Sequence, residues 1–122
     1  MRLLLDTHVL LWLAGASERI PKPVHQAIVD ADERCVSLAS AWEYSAKRAR
    51  FPDRLPKPFE ALLGPDFRTL DCAFGLYRYA EELPPIHYDP FDRMLVAQAL
   101  ELGLTLVTAD QLLKRYPVAT LW

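Results

Sequence analysis

Short apolar runs alternate along this chain with segments whose apolar residues recur at helical spacing. Arg2-Leu3-Leu4-Leu5-Asp6 reads as a buried strand, and the apolar stretch from Thr7 to about Ala14 reads as a helix packed beside it. Lys22 to Asp32 carries Val24, Ala27, Ile28 and Ala31 at helical intervals after Pro21 and Pro23, which suit a helix start. Cys35 to Leu38 predicts a second strand. Ser40 then opens a helix that ends before Pro52, with Trp42, Ala46 and Ala49 on one face.

Four prolines between Pro52 and Pro65 mark a connection that holds one short helix, Phe59 to Leu63, rather than a domain boundary. Phe67 to Leu70 predicts a third strand, and Phe74, Tyr77 and Ala80 a helix that stops near Leu83 at Pro84-Pro85. Asp89-Pro90 starts the most apolar helix, Phe91 to Leu102, and Gly103 ends it before the strand Leu104 to Val107. A last helix and a terminal strand, Val118 to Trp122, complete the series. This alternation predicts an α/β fold in which a central parallel sheet, joined by right-handed crossovers, is covered on both faces to form a three-layer α/β/α sandwich. With 122 residues the chain is expected to form a single domain over residues 1–122.

In such a sheet every strand C-terminus lies on one edge, where Asp6 and Asp110 emerge. A helix that precedes a strand runs antiparallel to it, so the helix from Asp89 begins at the same edge and brings Asp92 there. Glu43 enters with the helix after the second strand. Taken singly, each acid has a bland explanation. Ser40-x-x-Glu43 matches a capping box, Asp89-Pro90-x-Asp92 places an N-cap and a first-turn acid, and Asp6 and Asp110 can each cap the next helix. Taken together, four carboxylates on one edge raise each other's pKa or require a cation. They point to a divalent-metal site built from Asp6, Glu43, Asp92 and Asp110.

Charge at first argues against a nucleic-acid partner, since the net value is −2. If four carboxylates serve a metal, however, fourteen cations face twelve remaining acids, a balance of +2. Five of those cations, Lys47, Arg48, Arg50, Arg54 and Lys57, cluster where they can hold phosphates beside the acidic pocket, although cations at a helix C-terminus are also an ordinary solvated end. The 52% hydrophobic content suits a packed interior. Two cysteines, Cys35 and Cys72, show no ligand or disulfide spacing, which fits a reducing compartment. Asp6 and His8 interrupt the only stretch resembling a signal peptide, and no run has the length of a membrane span, so a soluble cytoplasmic protein is expected.

The histidines His8, His25 and His87 have no mutual ligand spacing and are read as structural. Trp12, Trp42 and Trp122, with Tyr77, Tyr79 and Tyr88, are read as buried. Phe51, Phe59 and Leu62 in and around the proline-rich segment are read as exposed apolar residues open to a docking face, with ordinary packing inside the monomer as the alternative.

The segments LLLDTHVLLW, SLASAWEYSAK, PIHYDPFDRMLVAQALELG and LTLVTAD resemble, in order and spacing, the PIN-domain ribonucleases, especially toxins of the VapC type from type II toxin-antitoxin systems. The resemblance covers nearly the whole chain. It implies an α/β/α sandwich, Mg²⁺ or Mn²⁺ held by the acidic quartet, endonucleolytic cleavage of RNA, a homodimer and a small antitoxin partner. Asp6, Glu43, Asp92 and Asp110 match the family's acidic positions, and Thr108 matches a polar residue beside the last acid. Asp89 is an additional acid, read mainly as a helix cap with a supporting metal role as the alternative. The chain departs from similar sequences after Lys47, where Phe51-Pro52-Asp53-Arg54-Leu55 replaces a Gly-Lys-Leu turn.

The chemistry these residues suit is phosphodiester hydrolysis assisted by a hard divalent cation, which lowers the pKa of bound water and offsets charge in the transition state. No nucleophilic triad is evident. Two other classes compete. A receiver-like signalling module needs adjacent acids after the first strand, whereas Thr7 follows Asp6 here. A noncatalytic PIN-like protein-interaction or RNA-binding module would not need a full quartet. Metal-dependent RNA cleavage discriminates between them.

Overall fold

The computed structural model describes all residues, Met1–Trp122. Five strands form one parallel sheet: β1 (Arg2–Leu5), β2 (Glu33–Ser37), β3 (Phe67–Leu70), β4 (Thr105–Val107) and β5 (Thr120–Leu121), in the order β3-β2-β1-β4-β5. The helices are α1 (Thr7–Gly15), α2 (Lys22–Asp30), α3 (Leu38–Arg50), α4 (Tyr77–Glu82) and α5 (Pro90–Leu102). β1 lies at the centre, paired to β2 on one side and β4 on the other, and its leucines are completely buried. That explains its unbroken apolar run: a strand covered on both faces has no solvent side to alternate with.

Successive residues of the strands feed opposite layers. Leu3, Leu5, Val36 and Val107 pack with Val9 and Leu10 of α1 and with Val24 and Ile28 of α2. Leu4, Cys35 and Leu106 pack on the other face with Leu76, Leu83 and the Leu95, Val96 and Ala99 side of α5. The result is the expected α/β/α sandwich, with a separate apolar core on each face of the sheet.

The structure corrects several expectations. Helix α3 starts at Leu38, not Ser40, because the Ser37 side chain accepts from the Ala39 amide at 3.0 Å and caps the helix. Ser40 is instead fully buried and its Oγ lies 2.8 Å from Thr7 Oγ1, so the apparent capping box is absent and Glu43 sits in the second turn. The inward face of α3 carries Ala39, Ser40, Glu43 and Tyr44. The Trp42, Ala46 and Ala49 face is exposed, with Trp42 at 65%. Apolar spacing misleads here because the buried face contributes polar groups to the sheet edge.

Tyr77, Tyr79 and Tyr88 are also exposed, whereas Phe59 is buried against Tyr44 at a ring separation of 5.7 Å and offers no docking face. The last helix is only a single 3₁₀ turn, Leu113–Arg115. Pro117 holds Tyr116 extended at ψ 154°, which stops any longer helix.

Gly103 ends α5 at φ +66° and returns the chain into β4. No atom would crowd an added Cβ, so Gly103→Ala tests backbone strain alone. We expect a loss of about 1 kcal/mol in urea unfolding with unchanged circular dichroism. An alanine variant as stable as the parent chain would show that the left-handed turn carries no such cost.

Candidate metal centre

Four separate elements deliver the acids to the C-terminal edge of the sheet. Asp6 follows β1 and caps α1, its Oδ1 accepting from the His8 amide at 3.4 Å. Its Oδ2 accepts from Thr108 Oγ1 at 2.7 Å, and Thr108, completely buried after β4, accepts in turn from the Asp110 amide at 3.1 Å. Thr108 therefore ties the loop after β4 to the acid after β1. Glu43 is brought in by α3, which the buried Thr7–Ser40 pair fastens to the start of α1. Asp92 lies in the first turn of α5, and Asp89 caps that helix by accepting from the Phe91 and Asp92 amides at 2.9 and 3.1 Å.

Asp6, Glu43, Asp92 and Asp110 line one cleft of about 360 Å³, together with Asp89, His8, Trp12 and Lys47. Two overlapping sets of donors are especially close. Glu43, Asp89 and Asp92 each offer an atom within 4.8 Å of the others, and so do His87, Asp92 and Asp110. Asp92 is common to both sets. Asp6 stands outside them, each of its oxygens accepting a bond from the protein, yet among the neighbouring charges it acts most strongly on Asp92. Burial, and then the negative charges of Asp6, Asp89, Glu43 and Asp110, push the Asp92 carboxyl up to about 7. At neutral pH this cleft holds more negative charge than it can neutralise from its own side chains. The nearest cation is Lys47, whose Nζ is 3.8 Å from Glu43 Oε2.

His87, read from its spacing as structural, also stands at the cleft. Its Nε2 lies 3.4 Å from Asp92 Oδ2 and 3.9 Å from Asp110 Oδ2. Its Nδ1 accepts from the Asp89 amide at 3.0 Å, which leaves the ring proton on Nε2 facing the carboxylates. In that tautomer His87 supports the acids as a donor and does not ligate a cation. Nothing in the spacing of the three histidines signals this position, because it depends on the turn between Pro85 and Asp89. His8 is exposed at the mouth of the cleft, its ring 6.2 Å from that of Trp12.

Among the basic candidates, Arg48 is committed to the fold: its guanidinium donates to the carbonyls of Leu55 and Pro56 at 3.1 and 3.2 Å. Lys47 lines the cleft, and Arg50 and Arg54 line the groove next to it.

A sequence model of the PIN domain matches residues 3–119. The chain belongs to the PIN-domain family. Among its relatives, Ribonuclease VapC22 of Mycobacterium tuberculosis (strain ATCC 25618 / H37Rv) is 33% identical over 126 aligned residues, covering 98% of this chain and 97% of that protein. The PIN fold is also matched by solved structures. VapBC2 from Rickettsia felis, bound to a DNA fragment from its promoter, gives a TM-score of 0.76 at 15% identity, over 99% of this chain and 98% of that one. DNA-bound VapBC from Salmonella typhimurium gives 0.73 at 18% identity, over 99% and 97%. At those identities the likeness to the two solved structures is one of fold.

No helix of this PIN domain is long and apolar enough to cross a membrane.

Proposed function

We propose that this chain is a divalent-metal-dependent endoribonuclease, the toxin of a type II toxin-antitoxin pair, working as a single PIN-like domain over residues 1–122 in the cytoplasm. The observation that carries this reading is the convergence of Asp6, Glu43, Asp92 and Asp110, from four different elements, on one cleft whose charges oppose the ionisation of Asp92. Relatedness to a ribonuclease along almost its full length supports RNA as the substrate.

The donor set fits Mg²⁺ or Mn²⁺. Every side chain free to bind is a carboxylate, the nitrogen of His87 being occupied by its proton, and hard oxygen donors suit both ions. When bound, the cation generates a nucleophilic water at neutral pH and stabilises the charge that builds up on the phosphate. The chain's own contribution is to hold the acids in place. Thr108 fixes Asp6, the Asp89 cap fixes the first turn of α5, and the Thr7–Ser40 contact fixes α3 and with it Glu43. Lys47 stands where it can meet a substrate phosphate as well as Glu43. A cognate antitoxin and a second copy of the chain are the proposed protein partners, in keeping with the VapBC assemblies that share the fold.

Purified protein is expected to cleave RNA only with Mg²⁺ or Mn²⁺, and Asp6→Asn, Glu43→Gln, Asp92→Asn and Asp110→Asn to stay folded and lose that activity. Free cation at 100 times its dissociation constant is expected to stabilise the fold by about 2.7 kcal/mol. Wild-type cleavage rates in all four variants would make the quartet structural, and a parent chain that cleaves no RNA with either cation would leave the noncatalytic interaction module as the reading. A light-scattering mass of one chain at every concentration would remove the homodimer from it.

A further inference from the structure

His87, Asp92 and Asp110 bring a ring nitrogen and two carboxylates within 4.8 Å of one another, a donor set that zinc accepts. The His87 Nε2 atom is 3.4 Å from Asp92 Oδ2 and 3.9 Å from Asp110 Oδ2, and the side chains of His87 and Asp92 are partly buried. Spacing alone would make His87 a ligand. The far side of its ring contradicts that.

A histidine that binds a metal through Nε2 carries its proton on Nδ1 and almost always donates it to a carboxylate, a carbonyl or a water. Here Nδ1 meets the opposite kind of partner. The Asp89 amide donates to it at 3.0 Å, and a backbone N–H cannot become an acceptor. Ligation through Nε2 would set two N–H groups against each other. Turning the ring over would put a carbon against the amide and leave that amide without its acceptor, and ligation with Nδ1 still accepting would require the ring to lose both protons. The two sides of this bond are held in place. Asp89 begins α5, where its carbonyl accepts from the Arg93 amide at 3.0 Å and its side chain accepts from the Phe91 and Asp92 amides. The backbone of His87 is fixed by the Tyr116 hydroxyl, 2.9 Å from its nitrogen and 3.0 Å from its oxygen.

We propose that His87 is a metal-selectivity residue: the bond from the Asp89 amide keeps its proton on Nε2, so the cleft presents oxygen alone and imidazole-seeking cations such as Zn²⁺ gain no nitrogen ligand there. Imidazole suits Zn²⁺, Ni²⁺ and Cu²⁺, whereas Mg²⁺ and Mn²⁺ take carboxylate oxygens and Mg²⁺ keeps several of its waters. A nitrogen-and-carboxylate site would favour zinc over the ions this cleft suits. The proposal rests on the metal-dependent reading above and specifies which cations that site disfavours.

Two measurements on the intact chain test this. Long-range ¹H–¹⁵N spectra of the imidazoles, with the His87 signals assigned by their loss in His87→Gln, are expected to show the proton on Nε2 both without metal and with saturating Zn²⁺. Competition titrations then give the ratio of Zn²⁺ to Mn²⁺ affinity in the parent chain and in His87→Gln. Because His87 acts on Asp92 and Asp110 and not on the cation, the substitution is expected to weaken both ions by a similar factor, up to about tenfold, and to leave their ratio within about threefold. A lost zinc ligand would instead lower Zn²⁺ affinity alone, by about tenfold or more. A Zn²⁺-loaded spectrum with the proton on Nδ1, or a ratio that falls about tenfold in His87→Gln, overturns the selectivity role and leaves the nuclease reading standing. A parent chain that binds neither ion overturns the metal-dependent reading and this inference with it. Should His87→Gln fail to fold, the spectrum of the parent chain decides alone, its three histidines being told apart through His8→Gln and His25→Gln.

Discussion

Asp92→Asn is expected to reduce metal-dependent RNA cleavage by more than about a hundredfold and, in metal-free buffer above pH 7, to be more stable than the parent chain by about 2 kcal/mol. The two effects have one cause. Burial and four neighbouring acids hold the Asp92 carboxyl at about 7, against an ordinary value of 3.8, so ionising it in the folded protein is unfavourable. That difference converts to roughly 4 kcal/mol, and solvent screening at the open cleft reduces it to about half. Losing a first-turn carboxylate near the α5 N-terminus opposes the gain by only about 0.5 kcal/mol.

The pH dependence has a definite sign. Between about pH 4 and pH 7 the folded chain binds the Asp92 proton and the unfolded chain does not, so the parent should lose stability as pH rises through that window and level off above it. The asparagine variant lacks the carboxyl and should lack this part of the slope. Adding Mn²⁺ should reverse the ranking at pH 8, because the cation stabilises the parent and finds a weakened site in the variant. Urea unfolding at pH 5 and pH 8, with and without Mn²⁺, measures all of this. A variant less stable than the parent at pH 8 without metal would mean that Asp92 serves the fold rather than the cation.

Those parts of the fold that depend on near neighbours were legible in the sequence. β1 is apolar throughout because it is buried on both faces, and α5 announces itself through Asp89-Pro90 at one end and Gly103 at the other, all three in their expected roles. Asp6, Glu43, Asp92 and Asp110 could be placed on one edge because a parallel sheet leaves no other place for strand ends. What failed depends on contacts between distant segments. Ser40 looks like a cap until Thr7, 33 residues away, takes its hydroxyl, and the apolar Trp42 is displaced outward because Ser40 and Glu43 occupy the inward face. The single turn of the last helix is the local exception, set by Pro117 on the adjacent Tyr116. His87 reaches the acids through a turn held by Tyr116 and Arg93, and no local pattern encodes that.

Arg93 is the residue on which that turn depends, and Arg93→Lys is expected to cost about 3 kcal/mol of stability and tenfold or more in metal affinity. From α5 its guanidinium donates to the carbonyls of Ala80 and Leu83 at the end of α4, to those of Pro84 and His87 in the turn, and to the Tyr116 hydroxyl. Tyr116 in turn accepts from the His87 amide at 2.9 Å and donates to the His87 carbonyl at 3.0 Å. Together they fix the segment whose last residues orient His87 and Asp89 toward the cleft. A lysine keeps the charge but offers one compact group where five acceptors are spread around a planar fork, so several of those acceptors lose their charged donor. The Ala80, Pro84 and His87 carbonyls keep a neutral donor in the Leu83 amide, the Ile86 amide and the Tyr116 hydroxyl, so the cost is that of the charge-assisted bonds lost, about 1 kcal/mol or more each. Because Asp6 and Glu43 are fastened by Thr108 and by the Thr7–Ser40 contact, they should remain in place, and metal binding should weaken rather than vanish. Mn²⁺ titration by electron paramagnetic resonance, at a temperature where the variant is fully folded, separates the two effects. If Arg93→Lys unfolds at lower urea yet binds Mn²⁺ as tightly as the parent chain, Arg93 holds the fold together without positioning the metal centre.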